Sequence, residues 1–231
     1  MFKAVCTATI FGLALCNGGP SWAENPHLIW DEDQPPVTRE IETSGTTLFL
    51  QAPNQSNGVF SDTQWNQSRA KGFFVDSGGV GTIIDRITVW GSYHPSDTPE
   101  YAGFDVIFHR LDPDTLLPDE TICQYHLMPA EHIATGIVLF DCREYRIVFE
   151  IPSCVLQDDG PHSVEIYAYT PSTNDRWAWE VGSLANTASI PGTLCANENP
   201  GVTWFWCDGW DLALQIDGAV VPVELQTFTV E

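Results

Sequence analysis

Lysine is almost missing from this chain. Lys3 and Lys71 are its two lysines, and Lys with Arg total 9 against 31 Asp and Glu. A formal net charge of −22 repels phosphate backbones and anionic bilayers, which excludes nucleic acid and acidic membrane surfaces as partners. Helix signals are missing too. No stretch of a dozen residues carries an apolar i, i+3, i+4, i+7 stripe, and 18 glycines and 16 prolines cut the chain into short pieces. The one long apolar run, 4–16, is too short to span a bilayer. Neither a G-x-S-x-G elbow, nor an H-E-x-x-H pair, nor a glycine-rich phosphate loop occurs, which removes the commonest hydrolase, zinc-protease and nucleotide-binding readings.

What is present points to export. A basic start (Met1-Phe2-Lys3) leads into the apolar run, Asn17-Gly18-Gly19-Pro20 breaks it, and Ser21-Trp22-Ala23 supplies small residues for a peptidase. This is the pattern of a signal peptide over 1–23, cut before Glu24. Leu13-Ala14-Leu15-Cys16 resembles a lipobox. Leu15 stands where a small residue is expected, so release to the extracellular or periplasmic space is favoured over a lipid anchor at Cys16.

Five cysteines follow the leader, which in an oxidising compartment implies two disulfides and one thiol. Cys195 and Cys207 bracket a turn-rich segment with Asn197, Asn199, Pro200 and Gly201, so these two are paired. Cys142 and Cys154 are separated by a strand spanning on the order of 26 Å, too far for a bridge. Cys123 is therefore paired with Cys142, leaving Cys154 over.

Alternation of period two dominates the rest. Phe104, Val106 and Phe108 oppose Asp105, Ile107 and His109; Tyr145, Ile147, Phe149 and Ile151 oppose Arg146, Val148 and Glu150; Trp210, Leu212, Leu214 and Ile216 oppose Asp211, Ala213 and Gln215. The segment 81–93 is apolar on both faces, hence central in a sheet. The expected fold is all-β, a jelly-roll-like antiparallel sandwich of about nine to eleven strands. It forms a single domain over 46–218, after an acidic extended lead-in at 24–45 and before a tail or edge strand at 219–231.

The order of Leu28-Ile29-Trp30-Asp31, Phe73-Phe74-Val75-Asp76, Trp90-Gly91-Ser92-Tyr93, Phe104 to Arg110, Trp177-Ala178-Trp179 and Asp211 to Ile216 resembles a β-sandwich module widespread in secreted proteins of environmental bacteria. That module often stands beside cell-surface sorting signals. The resemblance covers most of the chain after the leader. It implies a jelly-roll-like sandwich outside the cell and brings no catalytic residues. The five cysteines and the long segment 183–203 depart from the module's pattern.

Three kinds of site are legible. Trp177, Trp179, Trp204 and Trp206 sit at spacing two, twice over, so the rings of each pair share a sheet face. Such rings either fill a core or stack on sugars; Trp204 and Trp206, beside the Cys195–Cys207 segment, are the stronger candidates for an extracellular glycan or cell-surface ligand. Asp112 and Asp114 lie in an acidic turn, and calcium is the one cofactor such a turn admits, although no D-x-[DN]-x-[DN]-G loop surrounds them. A hydrolase would need two facing carboxylates, which an acidic chain can hide. The reading preferred on sequence is a non-enzymatic polysaccharide-binding sandwich. A structural or surface-matrix component and a hydrolase are the alternatives.

Overall fold

Local alternation becomes two antiparallel sheets facing one another across a shared core. The computed structural model describes residues 28–30, 46–95, 99, 101–139, 141–171, 175–183, 189–208 and 210–221. The expected signal peptide with Cys16, most of the lead-in and the tail beyond 221 lie outside them. Seven strands occupy the first part of the chain: β1 (Leu28–Trp30), β2 (Thr46–Gln51), β3 (Pro53–Phe60), β4 (Ser68–Val75), β5 (Thr82–His94), β6 (Phe104–Leu111) and β7 (Pro118–Leu127). Seven more follow: β8 (Glu131–Leu139), β9 (Cys142–Leu156), β10 (Gly160–Ala168), β11 (Arg176–Gly182), β12 (Ser189–Ala196), β13 (Phe205–Asp208) and β14 (Leu214–Val220). Among the described residues the one helical piece is a 3₁₀ turn at Thr63–Trp65.

The all-β sandwich is as expected, with more strands than nine to eleven. The lead-in is not wholly outside it: β1 pairs with β3, Leu28 opposite Val59 and Trp30 opposite Asn57. Likewise β14 runs to Val220, past the expected boundary at 218.

β5 is the spine of the first sheet, as its apolar character on both faces requires. β9 lies along one of its edges, from Thr82 opposite Leu156 to Gly91 opposite Tyr145, and β8 lies outside β9. Two strands share its other edge: β14 over Thr82–Val89, then β11 over Gly91–His94. β2 flanks β14, while β3 and β1 flank β11. The second sheet has the order β13-β12-β4-β10-β6-β7.

Inward residues of both sheets make the core. Phe104, Val106, Phe108, Val164 and Ile166 of the second sheet meet Ile87, Val89, Ile147, Phe149, Trp177, Trp179, Leu214 and Ile216 of the first. Phe104 packs edge-on to Trp177 at 5.3 Å between ring centroids, and Trp177 stacks on Trp179 at 5.9 Å. The buried Trp179 indole N–H donates to Ala213 O at 2.7 Å, which satisfies its polar atom inside the core. β5 carries glycine where this ring pair crosses it: a Cβ on Gly91 would lie 2.4 Å from Trp177 Nε1 and from Ala178 O.

Two disulfides add covalent links, one within the second sheet and one between the sheets. Cys195–Cys207 links β12 to β13 as expected. The pairing Cys123–Cys142 is incorrect: Cys123 is bonded to Cys154, with Cα atoms 6.0 Å apart, and Cys142 is a buried thiol. Cys142 and Cys154 stand near opposite ends of the 15-residue β9, on the order of 40 Å apart for an extended strand. Cys123, opposite Phe108 on β7, points into the sandwich and meets the far end of β9. Two disulfides fit an oxidising extracellular or periplasmic setting. Among the described residues no helix is long and apolar enough to cross a membrane.

Candidate functional site

The four tryptophans separate by burial. Trp177 and Trp179 are fully buried and belong to the core, so they are removed from any ligand surface. Trp204 is 8% exposed and closes a second apolar cluster on the outer face of the second sheet, with Ala70, Leu111, Ile190, Leu194 and Ala196. Trp206 is 40% exposed, beside Phe205 at 38% and near Val202 at 77%. Trp204 and Trp206 therefore do not form a two-ring platform. Trp206 stands opposite Leu194 on the edge strand β13, one residue from the disulfide to the fully buried Cys195.

The segment before Trp204 is fastened to the sheet beneath it. Asn199 Nδ2 donates to Asp62 O at 3.0 Å, and Gly201 N donates to Glu165 Oε1 at 2.8 Å. Glu198 Oε1 accepts the backbone N–H groups of Thr203 and Val202, and these bonds hold its carboxyl below the usual range. The exposed rings of Phe205 and Trp206 thus sit on a hairpin held by a disulfide, a loop cap and the Trp204 anchor.

The fold also gathers polar groups that no sequence spacing announces. On the outer face of the second sheet, His109 Nε2 donates to the buried Glu165 Oε2 at 3.0 Å, and Thr121 Oγ1 lies 3.3 Å from His109 Nδ1. The glutamate accepts from Nε2–H, so Nδ1 is left to accept the hydroxyl proton. This hydroxyl–imidazole–carboxylate chain has the order of a nucleophilic triad. The same Glu165 holds Gly201, and Trp204 packs edge-on against His109 at 5.9 Å, so the chain also anchors the hairpin. One row away, Asp105 accepts from His126 Nδ1 and from Tyr167 OH, both at 2.7 Å. Burial first, then Asp105, pushes the Tyr167 hydroxyl up. On the other sheet Cys142 Sγ lies 3.3 Å from His94 Nδ1, and Ser92 Oγ lies 2.8 Å from His94 Nε2; all three residues are buried.

The acidic turn is spent on itself. Asp112 Oδ1 accepts from Asp114 N, Thr115 N and Thr115 Oγ1 at 2.8–3.0 Å. The Thr115 bonds are the chief reason its carboxyl titrates below the usual range. Asp112 caps a turn, and Asp114 donates to it rather than converging on a common point. Among the described residues no three His, Cys, Asp or Glu side chains are placed to hold a metal ion.

A polar cleft of about 380 Å³ opens at the opposite edge of the second sheet. It lies between β7, the end of β9 and the start of β10, and Arg110, Glu120, Thr121, Gln157, Asp158 and His162 line it. Arg110 binds Glu120 through Nη2 and Asp158 through Nη1, the latter at 2.9 Å. Two carboxylates thus face one cleft, the arrangement sought for a glycosidase. A glycosidase needs one of the two protonated at working pH. One guanidinium binds both, so an oxygen of each carboxylate is already engaged in an ion pair.

Comparison with family models, with curated proteins and with solved structures finds no match to this chain.

Proposed function

We propose that this chain is an exported, non-enzymatic β-sandwich that binds extracellular polysaccharide through the β12–β13 hairpin. The observation that carries this reading is Trp206, a tryptophan 40% exposed at a sheet edge, with Phe205 38% exposed on the opposite face of the same strand. Exposed apolar rings on a rigid element mark interaction sites. Indole and phenyl faces stack on the apolar faces of pyranose rings, and the Cys195–Cys207 bond holds them in place before a ligand arrives. The signal-peptide pattern and the resemblance to an exported module support the compartment. A net charge of −22 supports a neutral glycan over an acidic one.

Affinity electrophoresis of the purified protein in gels containing neutral or acidic polysaccharides tests this. At least one neutral polymer is expected to retard the protein, and Trp206→Ala is expected to weaken retardation about tenfold, the loss of roughly 1.4 kcal/mol, with no change in melting temperature. Retardation by none of the polymers would sink the proposal.

A second reading, assembly into a surface layer, has its own observation. β8 is the outermost strand beside β9 and exposes Ile133 at 47% and Val138 at 49%. Unprotected apolar edges recruit further strands. Light scattering across a concentration series, on this chain and on Ile133→Lys/Val138→Lys, distinguishes a monomer from a growing oligomer.

A further inference from the structure

The polar cleft at the β7 edge is far from Trp206. β13 and β7 are the two outer strands of the second sheet, five inter-strand steps apart, about 24 Å at ~4.8 Å per step. We infer that this cleft is a separate subsite for one neutral, hydroxyl-rich sugar residue. The inference rests on reading the protein as a glycan binder and names the ligand class of a second site on it.

Four observations carry it. The cleft's volume, about 380 Å³, falls within the usual range for small-ligand sites. Its walls belong to different sheets and are tied together where they meet by Cys123–Cys154, so the opening is held rather than induced. Its charged groups already satisfy one another through Arg110. An ionic ligand would have to break those pairs, whereas the remaining lone pairs of Glu120 and Asp158 are open to hydroxyl donors.

The fourth is His162, which lines the cleft although it is only 1% exposed. Its Nδ1 lies 3.1 Å from Gly160 O, an acceptor, so Nδ1 carries the proton. Burial holds the ring below its ordinary pKa and keeps it neutral, leaving Nε2 with a lone pair and no hydrogen bond among the described residues. An acceptor that lines a polar cleft is available to a donor there. The Gln157 amide supplies both donor and acceptor at the rim. Planar amide, guanidinium and carboxylate groups around one acceptor match adjacent sugar hydroxyls, while Ile122 and Val155 offer apolar wall to the C–H face.

The test is an NMR titration of the full chain without its leader. The probes are methyl glycosides of glucose, galactose, mannose and xylose, with glucuronate and glucosamine as charged comparators. The Gln157 side-chain amide and the His162 ring are followed. Saturable shifts of both with at least one neutral glycoside are expected, weakened about tenfold, or roughly 1.4 kcal/mol, in Gln157→Ala/Asp158→Ala. Both substituted residues are exposed, and an unchanged melting temperature shows that the variant folds. The single variant Gln157→Ala gives a second reading. No saturable shift, preference for a charged comparator, or shifts that survive both variants overturn the inference. Trp206→Ala separates the two proposals: it is expected to weaken polymer retardation about tenfold while leaving the glycoside titration unchanged. Retardation without any titration leaves the hairpin reading standing and the cleft reading refuted.

Discussion

Lys71 shows how far one residue departs from its type. Lysines are almost never fully buried unless paired, yet Lys71 is fully buried between the sheets. Its ammonium donates to Ser189 Oγ at 2.6 Å, Ile190 O at 2.7 Å and Asp211 Oδ1 at 2.8 Å, so all three protons are used. Removing Asp211 would leave that charge uncompensated, and Asp211→Ala is expected to cost about 3–5 kcal/mol in a denaturant titration. Lys3 is the only other lysine of the sequence. An amine-reactive reagent is expected to leave Lys71 unlabelled in the native protein and to label it only after unfolding, as read by peptide mass. His132 offers a second residue-level outcome. Packed among Tyr93, Tyr101 and Tyr145, it accepts from Tyr93 OH at 3.1 Å. Burial lowers its pKa from 6.5 to about 4. The unfolded chain therefore takes up this proton first, so stability is full above pH 6.5 and falls as the pH drops toward 4. Each unit corresponds to about 1.36 kcal/mol, and partial exposure of the ring screens the total to roughly 1–2 kcal/mol. His162, also lowered by burial, titrates in the same direction. His132→Phe is expected to flatten the stability curve between pH 6.5 and 4; an unchanged slope would refute the assignment.

Elements carry the covalent prediction. Non-reducing peptide maps are expected to contain Cys123 linked to Cys154 and Cys195 linked to Cys207, with Cys142 reacting with a thiol reagent only on unfolding. The Cys123–Cys154 bridge closes a separation of 31 residues, so Cys123→Ala/Cys154→Ala is expected to lower stability by about 3–4 kcal/mol. This bridge also marks where the sequence stopped being readable. Alternation in β5, β6 and β9 is a local property, set by which side chain points across the pleat, and those strands were legible. The bridge depends on which end of β9 stacks under β7, a fact of sheet topology with no local signal. The His109–Glu165 pair has the same origin: their strands are 56 residues apart along the chain and neighbours only in the sheet. The tryptophans fail for another reason. Spacing two puts Trp177 with Trp179, and Trp204 with Trp206, on common faces whether those faces meet a core or solvent. What covers each ring decides between the two. Trp204 lies over the outer face of β12 and β4, and Trp206, at the edge of that sheet, has no further strand outside it among the described residues.

At the scale of the whole molecule, charge outweighs every other feature. A net −22 over 231 residues makes the compact state repel itself, because folding brings the carboxylates closer than the unfolded chain does. Eight of the described carboxylates are buried, among them Asp211 paired with Lys71 and Glu165 hydrogen-bonded to His109. Exposed charges are screened within about 10 Å at 0.1 M salt and about 3 Å at 1 M. Raising sodium chloride across that range is therefore expected to increase the melting temperature, the reverse of the loss seen when attractive surface pairs dominate. The same field bears on ligands. The proposed stacking on Trp206 and the proposed hydroxyl bonds in the Arg110 cleft would pair no net charges, so affinity for a neutral glycan is expected to stay constant across the series. Affinity for an acidic polysaccharide is expected to start lower and rise with salt as repulsion is screened. Running polymer retardation and thermal melts on the same salt series separates the two effects. A neutral-glycan affinity that collapses with salt would mean that ion pairing, rather than stacking and hydroxyl contacts, holds the ligand, and it would overturn the roles given to the hairpin and the cleft together.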